Sequence, residues 1–64
     1  MTHQITIESI GINNLVEWRE TVEAANKAAA RRKANKVVNG CGFNGEIDKR
    51  VNQYCKDLEI WRLR

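Results

Sequence analysis

The stretch from Asn14 to about Val38 constrains the fold most, because it contains neither proline nor glycine and its apolar residues recur at steps of three and four. This spacing places them along one stripe of a helix. Asn14 can cap the first turn, and Glu17 stands where it would complete a capping box. The pattern therefore predicts one continuous helix of roughly 36 Å at about 1.5 Å per residue. The stripe consists of Leu15, Trp18, Val22, Ala25 and Ala29.

Charge placement supports the same helix. Acidic residues occupy its N-terminal half and basic residues its C-terminal half, so each sign complements the nearer helix pole. Asn39 and Gly40 then supply a stop signal, since glycine readily adopts the left-handed conformation that closes a helix. The charged residues are Glu17, Glu20 and Glu23, followed by Lys27, Arg31, Arg32, Lys33 and Lys36.

Two strands are predicted near the ends of the chain. Alternating β-branched and polar residues from His3 to Ile10 are typical of a half-buried strand, and residues 58–63 are rich in β-formers and should pair with it. Residues 39–46 are predicted as a loop whose Phe43 closes the end of the core. Residues 47–55 fit either a short helix or a strand. The fold class is therefore α+β, with a small sheet of two to three strands packed against one long amphipathic helix.

Length and composition limit what else the chain can be. With 64 residues it has room for a single domain, 1–64, with a thin core. No apolar run approaches the roughly 20 residues of a membrane span. The N-terminus begins with Met1 and has no signal-peptide pattern, so we expect an intracellular protein with Cys41 and Cys55 reduced, although a disulfide between them stays open.

Catalytic groups are scarce in this sequence. His3 is the single histidine, and neither cysteine stands in a catalytic or metal-binding motif. We therefore expect no enzyme activity, no cofactor and no metal site. His3 is interpreted as a solvated residue at a strand end, and Cys55 as a small buried group.

The predicted helix is nearly twice as long as a six-residue strand. It must either bend near Asn26 or extend its alanine-rich half beyond the sheet. A smooth alanine surface allows another backbone to approach closely, so a homodimer through this helix face and a helix lying flat on its own sheet are both open. The alanines are Ala24, Ala25, Ala28, Ala29, Ala30 and Ala34.

Aromatic and arginine residues near the C-terminus are of the types that dominate protein interfaces. Of the two tryptophans, Trp18 lies on the apolar stripe and is predicted to serve the core, which leaves Trp61 for an interface. The predicted partner-binding residues are Arg50, Tyr54, Trp61, Arg62 and Arg64.

A second set of candidates is basic. The net charge is +3 with a pI near 9.2, a mild bias towards phosphate or acidic surfaces. Lys27, Arg31, Arg32, Lys33 and Lys36 could contact nucleic acid, but they spread widely around the helix, which favours a solvated face. We therefore expect a non-catalytic protein-binding accessory factor, such as an inhibitor or adaptor of the kind that phages and mobile elements direct against hosts and their defences. The alternative is a small basic nucleic-acid-binding regulator.

Overall fold

One helix lies on one face of a four-stranded mixed sheet in the computed structural model, which describes residues 2–64. The strand order is β2-β1-β4-β3, with β1 and β4 parallel and the other neighbouring pairs antiparallel. The predicted α+β class is confirmed, with four strands where the sequence predicts two to three. In chain order the elements are β1 (His3–Ile10), β2 (Val16–Ala24), α1 (Lys27–Gly40), β3 (Ile47–Val51) and β4 (Leu58–Leu63).

The first and last strands occupy the centre of the sheet. Their predicted bounds and their predicted pairing are both confirmed, with Ile5 opposite Glu59 and Ile7 opposite Trp61. Because strand side chains alternate between faces, Ile5 and Ile7 point towards the helix and the residues between them point to the opposite face. We call that opposite side of the sheet the open face.

A hairpin connects β1 to β2 through a short 3-10 turn at Ile12–Asn14. Asn13 and Asn14 have φ values of 63° and 59°, in the left-handed region that asparagine tolerates better than most residues. The backbone N–H of Gly11 donates to the carbonyl of Leu15 at 2.8 Å and closes the turn. The double asparagine therefore reverses the chain.

The predicted continuous helix from Asn14 to Val38 is wrong. Its N-terminal half is the strand β2, and α1 begins only at Lys27. The true cap is Asn26, whose side-chain oxygen accepts from the N–H of Ala29 at 2.9 Å. Since the acidic residues Glu17, Glu20 and Glu23 belong to β2, the charge gradient read along the predicted helix is divided between two elements.

Helix α1 has 14 residues, so at about 1.5 Å per residue it spans roughly 21 Å. This length matches that of the strands, and the predicted overhang disappears. Ala30 and Ala34 are fully buried against the protein's own sheet. Their small side chains let the helix approach its own strands closely. These two alanines are therefore not available for the predicted homodimer through the alanine-rich face.

The core lies between α1 and the sheet. Three residues come from the helix and four from the central strands, and each large apolar side chain removed from water contributes about 1.5–3 kcal/mol. Phe43 is half-buried and packs against this cluster, as the sequence predicts. The buried apolar residues are Ile5, Ile7, Ala30, Ala34, Val38, Trp61 and Leu63.

Residues 47–55, which by sequence fit either a short helix or a strand, contain β3 followed by a turn. Ile47 pairs with Leu63 and Val51 with Glu59, which makes β3 the second edge of the sheet. The side chain of Asn52 accepts from the backbone N–H groups of Tyr54 and Cys55 at 2.8 and 3.0 Å. This local turn leads the chain back into β4.

Candidate functional site

A buried carboxylate joins the helix to the sheet. Glu59 lies on β4 facing α1, and its two oxygens accept hydrogen bonds from three side chains. Arg31 donates through Nη2 at 3.0 Å and through Nε at 3.2 Å, Trp61 through Nε1 at 3.0 Å, and His3 through Nε2 at 3.2 Å. We call these four residues the Glu59 cluster.

Electrostatics keep this carboxylate ionised. Burial by itself raises the pKa of Glu59, but hydrogen bonds from Arg31, Trp61 and His3, together with the Arg31 charge, outweigh burial and hold the pKa below its ordinary value of 4.5. Glu59 is fully enclosed, so a substrate has no access to it. The cluster therefore serves to attach the helix to the sheet.

The sequence interpretation of His3 as a solvated residue is wrong, because its side chain is buried in the Glu59 cluster. One sequence signal could have revealed the cluster. Within the apolar run of β4, Glu59 shares the alternation of Trp61 and Leu63, which places a carboxylate on the core side. A buried charge in that position requires partners.

The predicted partner-binding residues do not form one surface. Arg50 and Arg62 lie on the open face, Tyr54 is exposed in the turn after β3, and Arg64 follows β4. Trp61 is 0% exposed, so its assignment to an interface is wrong and it is a core residue. The ammonium group of Lys49 lies over its ring, 4.3 Å from the centroid, in a cation–π contact.

Charges of alternating sign cross the open face in one row. Arg19 lies opposite Glu8, Glu8 opposite Arg62, and Arg62 opposite Asp48 on four successive strands. Arg19 Nη2 donates to Glu8 Oε2 at 3.1 Å, and Arg50 Nε donates to Asp48 Oδ2 at 3.1 Å. We call Arg19, Glu8, Arg62 and Asp48 the charge ladder.

The predicted nucleic-acid residues are all on α1 but face different ways. Arg31 turns inward to Glu59, and Lys33 Nζ donates to the backbone carbonyl of Glu23 at 2.8 Å. Lys27, Arg32, Lys33 and Lys36 are exposed, whereas Arg31 is half-buried. Arg32 and Lys36 are one turn apart on the outer surface, and α1 contains no acidic residue to offset them.

Four exposed large apolar residues lie in the hairpin turn and at the start of β2. Ile12 is 84% exposed, Leu15 66% and Trp18 39%. Val16 is also exposed, and we call these four residues the apolar end. Sequence reasoning missed it because Leu15 and Trp18 were assigned to the buried stripe of a helix that does not exist there.

A cleft of about 480 Å³ opens beside the apolar end. It lies between the hairpin and the loop that follows α1, where Gly42 has a φ of 70° and turns the chain. Apolar and polar groups share its walls, so it could receive an apolar side chain with a hydrogen-bonding tip. The lining residues are Ser9, Trp18, Cys41, Gly42, Phe43, Asn44 and Leu63.

Both cysteines are free and exposed, which corrects the expectation of a buried Cys55. Cys41 Sγ lies 3.0 Å from the carbonyl oxygen of Val38 at the end of the helix. Across residues 2–64, no group of three or more side chains is arranged to hold a metal ion. Within the same residues, no helix is long and apolar enough to cross a membrane.

Comparison of the chain with protein-family models, with curated proteins and with solved structures found no match.

Proposed function

We propose that this chain is a non-catalytic protein-binding accessory factor, of the inhibitor or adaptor type, and that it occupies a partner surface with its apolar end. The observation that carries the proposal is the exposure of Ile12, Leu15 and Trp18 together at one tip of so small a domain. A cluster of large apolar side chains that a fold leaves in water marks an interaction site more often than scattered single residues do.

The backbone of the tip is held by local contacts. The left-handed conformations of Asn13 and Asn14 and the hydrogen bond between Gly11 and Leu15 define the backbone of the turn. A preformed turn loses less conformational entropy on association than a flexible loop would. Burial of Ile12 and Leu15 by a partner would contribute about 1.5–3 kcal/mol for each side chain.

The shape favours a protein over a small molecule. Ile12 and Leu15 project outward and need a concave partner surface, while the cleft beside Trp18 and Phe43 can accept a side chain in return. Reciprocal knob and pocket contacts of this kind are typical of protein interfaces.

Leu15→Asp should abolish this binding while leaving the fold intact. The side chain is mostly solvent-exposed, so the substitution has a small effect on stability, but it places a charge in the centre of the contact. We expect at least tenfold weaker affinity for a partner captured from source cells and then purified, measured by calorimetry.

Val51→Asp is the matched control, since Val51 is an exposed apolar residue on β3, the strand at the other edge of the sheet. It should bind like the wild type. Equal affinity of wild type and Leu15→Asp for the purified partner would refute the proposal.

A nucleic-acid-binding regulator remains a second candidate, supported by the five basic and no acidic residues of α1. If it is correct, Arg32→Ala combined with Lys36→Ala should weaken binding to random duplex DNA. The double variant should also reduce the dependence of log affinity on log salt by about 2. Fluorescence titrations at two salt concentrations measure both effects. Lys56→Ala, in the turn before β4, serves as the control, and salt-independent or absent binding would eliminate this candidate.

A further inference from the structure

Strand β2 forms an edge of the sheet and is its longest strand, with nine residues. Within residues 2–64 no strand pairs with its outer side. Every second residue of an edge strand directs its backbone N–H and C=O outward, which makes such a strand a template for another strand. One backbone group of this edge has a side-chain partner, because Lys33 Nζ donates to the carbonyl oxygen of Glu23. That carbonyl still has a second lone pair.

We propose that β2 pairs antiparallel with β2 of a second copy around a two-fold axis at Thr21, which joins the two sheets into one of eight strands. An isologous two-fold contact is the commonest form of self-association, and it requires a surface that complements itself. The charges of β2 meet this requirement in the register centred on Thr21.

In this register Arg19 lies opposite Glu23 of the second copy, and the symmetry produces that pair twice. Thr21 lies opposite Thr21, and no like charges face each other. A register centred on Arg19 would oppose two arginines. One centred on Glu20 would oppose Glu20 with itself and Glu17 with Glu23. Directly opposed like charges destabilise a sheet, and opposite charges stabilise it.

The Thr21 register also continues rows that the single chain already builds. Glu23 of the second copy extends the charge ladder beyond Arg19, so the signs alternate across five strands. Thr6 Oγ1 and Thr21 Oγ1 are 3.2 Å apart in one chain, and the two-fold axis adds the same pair from the second copy. Cross-strand threonine pairs stabilise antiparallel sheets.

On the other side of the joined sheet, both α1 helices lie on the same face, because the axis is perpendicular to the sheet. Trp18 lies opposite Ala24 of the second copy, which offers space for the indole ring. Glu20 points towards the helix layer beside the axis, as its pairing with Ile7 requires, and offsets part of the repulsion between two basic helices. Val16 and Trp18 of the apolar end lie along the joined edge, whereas Ile12 and Leu15 stay free at the outer ends and open to a partner.

A disulfide can test the register directly. In a Cys41→Ser/Cys55→Ser background, Thr21→Cys places two thiols directly opposite each other, with Cα atoms about 4.5–5.5 Å apart, a distance that a disulfide spans. We expect an oxidised dimer on non-reducing gels. Glu20→Cys in the same background should form no disulfide and run as a monomer on the same gel, because residue 20 lies opposite Val22 of the second copy. Cross-linking of Glu20→Cys in preference to Thr21→Cys would overturn the proposed register.

Charge reversal tests the association without any covalent bond. Glu23→Arg opposes arginine to Arg19 and should raise the dimer dissociation constant roughly tenfold or more in sedimentation equilibrium. Combining it with Arg19→Glu restores two opposite-charge pairs across the axis and should recover part of the loss, since the same substitution removes the ion pair between Arg19 and Glu8 within each chain. Glu46→Arg, which adds the same charge away from β2, should change nothing. A wild-type chain that stays monomeric at millimolar concentration would overturn the proposal.

Discussion

Glu59→Ala is expected to lower the free energy of unfolding by about 3 kcal/mol, because it leaves Arg31, Trp61 and His3 without the acceptor that they share. Removing one member of a buried ionic cluster destabilises the fold strongly, because the remaining charges and donors stay buried without a partner. Replacing the whole cluster by apolar residues would cost much less. Arg31 is partly exposed and can turn to water, which limits the loss. A chain of 64 residues has roughly 3–10 kcal/mol of stability in total, so this loss removes from about a third to nearly all of it.

Urea denaturation followed by tryptophan fluorescence measures this effect. Glu8→Ala is the matched control, since Glu8 is also a buried glutamate on a central strand but faces the open side. Its partner Arg19 is mostly exposed, so we expect a loss of about 1 kcal/mol or less. Equal losses for Glu59→Ala and Glu8→Ala would show that the Glu59 cluster has no special role.

The pH dependence of stability has a definite sign. The folded pKa of Glu59 lies below its ordinary value of 4.5, so the contribution of its charge is fully present above that pH. It is lost as the pH falls through the folded pKa. The wild type should therefore lose stability below about pH 4.5, and Glu59→Gln should show a smaller acid loss. The same acid dependence in both proteins would contradict this account.

Trp61→Ala should destabilise the fold by about 3–5 kcal/mol, since the indole is completely buried between helix and sheet and also donates to Glu59. Trp18→Ala should cost about 1 kcal/mol or less, because that side chain is partly solvent-exposed on an edge strand. The two substitutions remove the same side chain, so their difference isolates the effect of position. Thermal and urea unfolding of both variants measure it.

If Trp61→Ala does not fold, Trp61→Phe keeps most of the apolar volume and loses only the indole N–H and part of the ring. It should fold with reduced stability. Fluorescence quenching adds a check in the wild type, since acrylamide should reach Trp18 more readily than Trp61. A larger loss for Trp18→Ala than for Trp61→Ala would contradict the arrangement of this core.

Much of the fold can be predicted from local patterns. The strands β1 and β4 follow from alternation and from β-forming residues, and their predicted pairing is confirmed. The second half of the predicted helix is also correct, because alanine, lysine and arginine between Lys27 and Lys36 have high helix propensity. These elements carry strong and unambiguous local signals.

Residues 16–24 carry two signals of comparable strength. Leu15, Trp18 and Val22 fit helical steps, but Trp18, Val22 and Ala24 also fall on one face of a strand. Valine, threonine and tryptophan favour strands when a neighbour is available to pair with. Here β1 supplies that neighbour through the hairpin, and a local window cannot detect the hydrogen bonds of the ladder.

The exposed surface also depends on whether residues 16–24 form a helix or a strand. The sequence by itself determined the α+β class, the two central strands, the basic second half of the helix and the small number of chemically reactive residues. Tertiary structure alone decided that Trp61 is buried and Trp18 exposed, that His3 and Arg31 meet on Glu59, and that Ile12 and Leu15 stand in water. Spacing along the chain controls local conformation, whereas burial depends on which strands become neighbours, and that is a property of the whole sheet.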